Sequence, residues 1–227
     1  MEHYIQIDIR SLYDSFDASI AALDCGQKCA PHNPSGKPFC CDICQAVPAA
    51  YQQEWEYLQS NTDLWHSWRG DECRENPDDP ALLQSETPDS MFLLACQGPS
   101  ACQRPYRALS CRQFPFYPYI TSSFRFIGLA YDAEFEQTCW VISHLEVVSQ
   151  TYRQEFMRAY DRLFEQWPEE FNSYLLLSQE LRDHYAAQKR RLLLLHRKGT
   201  FYKISPSSER MERVMPEQLP RFGPYRV

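Results

Sequence analysis

Glycine is scarce: seven residues in 227, against sixteen prolines. The closest two, Gly26 and Gly36, lie ten positions apart, so neither a G-x-G-x-x-G turn nor a Walker loop can be built. Glycine-rich phosphate cradles are excluded by arithmetic. No window approaches eighteen uninterrupted apolar residues, which excludes a membrane-spanning helix as a reading. The first thirty residues carry Asp8, Asp14, Asp17 and Asp24 without a long apolar stretch, so no export signal is expected there. Asn33-Pro34-Ser35 fails as a glycosylation acceptor because of its proline, and no other Asn-x-Ser/Thr occurs. Histidine is also sparse, with six residues and no H-x3-H or H-E-x-x-H spacing.

What is abundant is apolar and aromatic surface, 44% and 14% of residues, enough for a real core and against disorder. The net charge of −7 hides an asymmetry. From Arg182 onward eleven Lys/Arg face four Asp/Glu, a local +7, while the rest of the chain carries −14. A basic tail packed along acidic parts of its own molecule is the expected arrangement. No basic stripe interleaved with aromatics marks a nucleic-acid partner.

Ten cysteines dominate the remainder. At about 4% of residues they fall below the density of secreted disulfide scaffolds. A cytoplasmic, reducing address is expected, where grouped thiols hold metal more often than they form disulfides. Cys25, Cys29, Cys40, Cys41 and Cys44 follow C-x3-C-x10-C-C-x2-C inside a loop of Pro, Asn and Gly that has little core to bury them. Short spacings of this kind let two thiolates of one loop reach a single metal or one cluster edge. Adjacent Cys40 and Cys41 are expected to point apart from extended chain and to serve two centres, or one centre and the core. A second group is Cys96-x5-Cys102-x8-Cys111, with Arg104, Arg107 and Arg112 beside it as cations for excess thiolate charge, or as partners of the acidic 71–79 loop. With so little histidine an all-sulfur site is favoured, either zinc held by four cysteines or an iron–sulfur cluster. Cys73, alone in the acidic loop, reads as a buried or surface thiol outside the site. A nucleophilic cysteine wants an activating histidine; His144 follows Cys139 by five positions, but nothing marks that pair.

The coarse pattern reads as follows. A helix is expected over Asp8–Leu23, another from Pro48 to Leu58, and a third, capped at Asn61 or Thr62, containing Leu64, Trp65 and Trp68. Residues 70–90 read as loop. Strands are expected at 116–120 and 124–131, forming a hairpin. Two amphipathic helices, 145–167 and 168–196, break at Pro168, with Leu192–Leu195 in the core of the second and Gly199 ending it. A further strand is expected at 201–204, with 205–227 over the surface. The fold class is α+β, helix-rich. A cysteine-rich metal-binding body with a short β-hairpin spans 1–142; a C-terminal helical hairpin and basic arm spans 143–227. The aromatic group Tyr51, Trp55, Tyr57, Trp65, His66 and Trp68 reads as a face packed over the metal centre.

The run Arg107-Ala108-Leu109-Ser110-Cys111-Arg112-Gln113-Phe114-Pro115-Phe116, after C-x5-C and an upstream loop with adjacent cysteines, resembles the YkgJ-like cysteine-cluster family, described as zinc- or iron-chelating and including a domain of flagellin lysine-N-methylase. The resemblance covers roughly Cys25 to Cys139. It implies Cys25, Cys29, one or both of Cys40 and Cys41, Cys96, Cys102, Cys111 and Cys139 as metal ligands; Cys44, from its spacing to Cys41, joins the candidate set. The family's first cysteines are usually closer together, and Ala108 stands where it usually has proline. The expectation is a cytosolic metalloprotein with an iron–sulfur cluster, 4Fe–4S favoured and zinc as alternative or second metal, serving redox or protein-modifying chemistry. The alternative is a zinc-stapled module using its helical hairpin to dock a protein partner.

Overall fold

A computed structural model describes residues 8–73, 80–88 and 90–226. The chain divides into two units: a cysteine unit made of the stretch ending at Asp17 with Asp24–Phe114, and a sheet unit made of Ala18–Leu23 with Pro115–Val227. Helices and antiparallel sheets coexist, so the chain is α+β. The boundary at Phe114/Pro115 precedes the expected one at 142/143, because the hairpin at 116–131 belongs to the sheet that the C-terminal strands complete.

The cysteine unit opens with α1 (Ile9–Ser15), whose first turn is capped by the Asp8 carboxylate accepting from Ser11 N–H. The expected helix to Leu23 stops early. Phe16 leaves helical geometry, and Ile20 instead accepts from Ser149 N–H within the sheet unit. A single turn, α2 (Gly26–Cys29), and two 3-10 turns, Ala30–His32 and Phe39–Cys41, carry the first thiols. Pro48 does not start a helix. Its carbonyl accepts from Leu94 N–H, and β1 (Ala49–Tyr51) pairs with β3 (Met91–Cys96) before α3 (Gln52–Asn61) begins. Nor do Leu64–Trp68 form a helix: β2 (Trp65–Ser67) pairs with the other edge of β3. The short α4 (Pro80–Glu86) occupies part of the expected 70–90 loop, of which 74–79 and 89 lie outside the described residues. After 3-10 turns at Pro99–Ala101 and Arg104–Tyr106, α5 (Leu109–Gln113) closes the unit.

In the sheet unit, β4 (Phe116–Ile120) and β5 (Phe126–Tyr131) form the expected hairpin, Phe116 opposite Tyr131. After the short α6 (Trp140–Ser143) come α7 (Gln150–Gln166) and α8 (Pro168–Ala187), broken at Pro168 as expected. Their ring contacts step from Phe164–Phe171 to Tyr160–Tyr174, the pattern of an antiparallel hairpin. Leu192–His196 is a strand, β6, rather than helix core. It joins β7 (Phe201–Ile204) through a turn in which Gly199 has φ +83, and β8 (Met211–Val214) ends a five-stranded antiparallel meander. Leu181 and Tyr185 of α8 cover one face with Tyr117, Tyr119, Leu192 and Leu194. Tyr152 and Phe164 of α7 meet Phe116 and Phe126 from the other. A strand covered on both faces loses its alternation, so the four-leucine run could not be told from a helix by period. Gly128 is required where β5 meets β6: a Cβ there would lie 2.5 Å from the Leu195 carbonyl oxygen.

Candidate metal centre

Five of the expected thiols line one cavity of about 100 Å³ in the cysteine unit: Cys40, Cys41, Cys96, Cys102 and Cys111. They arrive from separate stretches, a 3-10 turn, the end of β3, the turn after it and α5. Arg107, Lys37 and Trp65 also line it; among the described residues no carboxylate or imidazole does. The adjacent pair was expected to diverge. On the turn Phe39–Cys41 their sulfurs instead lie 3.9 Å apart, because 3-10 geometry rather than extended chain carries them.

N–H donors point at sulfurs of the lining. Gly98 N–H reaches Cys96 Sγ at 3.4 Å, in a turn where Gly98 takes φ +94, and Arg107 Nε–H reaches Cys102 Sγ at 3.3 Å. Donors of this kind stabilise thiolates and tune metal–sulfur sites. The Cys40 thiol donates to Cys41 and, against the cost of burial and with help from Arg107, brings Cys41 down to about 7. Burial pushes the Cys96 and Cys111 thiols up, Arg107 opposing it at Cys111. Cys25 and Cys29 flank this group. Cys25 is pushed up to about 11 by burial and then by Cys29 and Asp24, while Arg107 opposes; Cys29 is raised by burial and lies within the electrostatic reach of Cys41.

One expectation is corrected. Cys44 is not a free ligand: it forms a disulfide with Cys73, so Cys73 is not an isolated thiol either. Cys139 belongs to the sheet unit, where it is buried at the start of α6. His144 stacks on Trp140 and meets its carbonyl. Among the described residues no three His, Cys, Asp or Glu side chains stand close enough to hold one metal ion as they are placed. The thiols therefore surround a space without converging on a point.

Of the three arginines Arg107 stands against a thiol of the cavity lining. Arg104 and Arg112 reach Asp17. Arg112, side chain 5% exposed, donates to the carbonyls of Tyr13, Phe16, Pro105 and Arg107 and lies 4.1 Å over the Tyr13 ring. The Tyr13 hydroxyl donates at 2.5 Å to Glu54, a buried carboxylate that the sequence does not single out. Glu54 also accepts from Leu109 N–H at 2.6 Å and Tyr51 N–H at 3.3 Å, tying α1, α3 and α5 together under the cavity wall. A single acid on a helix face offers no signal for this before the fold is known. Of the aromatic group, Trp65 lines the cavity and donates from its indole to Tyr106 O, whereas His66 is exposed. No family model, no curated protein and no solved structure matches this chain.

Proposed function

We propose that the cavity holds a thiolate-ligated metal centre, an iron–sulfur cluster, with Cys40, Cys41, Cys96, Cys102 and Cys111 as its ligand pool and Cys25 and Cys29 beside it. The observation that carries the reading is five thiols from four stretches lining one cavity with no carboxylate or imidazole in its lining among the described residues. Such a donor set suits soft metals and clusters. A cluster takes its cysteines at separate irons, so thiols spread around a space suit it better than they suit one tetrahedral ion. When bound, a cluster of this kind supplies electron transfer or Lewis acidity. The chain's own residues orient the sulfurs, direct N–H donors at them and keep Arg107 within reach. The YkgJ-like resemblance is what points its use toward redox or protein-modifying chemistry.

The second reading, a structural zinc, rests on the Cys40–Cys41 separation of 3.9 Å. Two thiolates on one zinc at about 2.3 Å stand roughly 3.8 Å apart. The absorption spectrum of anaerobically purified protein separates the two. A broad visible shoulder that bleaches on exposure to air supports the cluster; a colourless protein containing zinc contradicts it.

A further inference from the structure

The charge of the cavity is not set by sulfur alone. Arg107 lines it together with the five thiols, its Nε–H on Cys102 Sγ at 3.3 Å. Its placement is built from behind. Arg112 donates from Nε to the Arg107 carbonyl at 2.9 Å and from Nη2 to the Pro105 carbonyl at 2.8 Å, while Nη1 reaches Phe16 O at 2.5 Å and Tyr13 O at 3.1 Å. The 104–107 turn is thus fastened to α1, which fixes the backbone from which the Arg107 side chain enters the cavity. The electrostatic reach of Arg107 extends to Cys25, Cys41 and Cys111, while Asp24 acts in the opposite sense on Cys25, Cys29 and Cys41. Lys37 supplies a second cation on the lining.

Several thiolates around a divalent ion or a cluster leave net negative charge in a partly dehydrated space, where a nearby cation acts more strongly than in water. We propose that Arg107 is the counter-cation of this centre, and that metal affinity depends on its positive charge. The inference rests on the thiolate-centre reading above. Arg107 is a positioning and charge-balancing residue, not a ligand; it discriminates in favour of anionic metal–thiolate units over neutral occupants.

The test is an anaerobic titration of metal-free protein with Cd²⁺, read by the ultraviolet thiolate-to-cadmium band, in wild type, Arg107→Lys and Arg107→Gln, with far-ultraviolet circular dichroism to verify the fold. Arg107→Met, which keeps the aliphatic stem, replaces the glutamine variant if that one misfolds. The expected result is affinity within about threefold of wild type for the lysine variant and a loss of about tenfold or more for the neutral ones. Wild-type affinity in Arg107→Gln overturns the inference, as does an equal loss in Arg107→Lys, which would make shape rather than charge the cause. A wild type that yields no cadmium–thiolate band overturns the metal reading itself, a failure distinct from either of these.

Discussion

Replacing Cys111 by serine removes one thiol from the cavity wall while leaving its backbone bond to the Ala108 carbonyl in place. Serine oxygen is a poor donor at a soft site, so C111S is expected to lose at least half of the metal bound per chain, by elemental analysis of protein purified without oxygen. C139S, altering a residue of the sheet unit, is expected to keep it. Equal retention in both would remove the central cysteines from the site. Cys73 behaves differently from what its acidic neighbours suggest. The Cys44–Cys73 bond joins residues 29 positions apart, and a loop of that length contributes about 3–4 kcal/mol in the chain-entropy account. C44S, C73S and the double variant are therefore expected to lower the denaturation midpoint by the same amount; additive losses would show that the two sulfurs act separately. This pairing was not readable in advance, because cysteine spacing does not reveal connectivity. The likeness of the 107–116 run to a cysteine-cluster family implied a shared site for Cys96, Cys102 and Cys111, whereas the approach of Cys40 to Cys41 was not foreseen, because extended chain rather than a 3-10 turn was assumed there.

At the scale of elements, what could be read depended on how many faces each one buries. The 116–131 hairpin was visible because an apolar run, a polar turn and a second run follow one another. Leu192–Leu195 was misread because both faces of β6 are covered, and β1 and β2 because three-residue strands are too short for a period to show. Pro48 looked like a helix start, yet the ladder to β3 claims its carbonyl and moves the helix to Gln52. Two substitutions test the contacts that matter most here. Glu54→Gln places an amide among the three donors of Tyr13, Leu109 and Tyr51, and is expected to cost about 2–3 kcal/mol in chemical denaturation. Gly128→Ala forces a methyl against the Leu195 carbonyl, with an expected cost of about 1–3 kcal/mol. A midpoint unchanged in either would contradict the contact it probes.

Across the whole molecule, the charge asymmetry resolves inside the sheet unit. Arg182 pairs with Glu209, Arg190 with Glu136, Arg197 with Asp161, Arg221 with Glu146, and Arg191 with Glu212. Three of these cations, Arg190, Arg197 and Arg221, thus pair with acids that precede the basic stretch, and two, Arg182 and Arg191, with acids inside it. Among the described residues no helix is long and apolar enough to cross a membrane. The two units differ in what sustains them. The sheet unit has helices on both faces of a five-stranded sheet, whereas much of the cysteine unit is turns around thiols. Structural metal binding can contribute on the order of 10 kcal/mol, comparable to the stability of a domain. Chelation is accordingly expected to lower one calorimetric transition and leave the other in place, while loss of neither would contradict a structural role for the metal.

The most direct measurement of the central claim is the iron, zinc and acid-labile sulfide content per chain of wild-type protein purified without oxygen. The account predicts iron and sulfide in near-equal amounts, at stoichiometry that falls in C111S. Protein that carries no iron and no sulfide, whether it is empty or holds zinc instead, would contradict it.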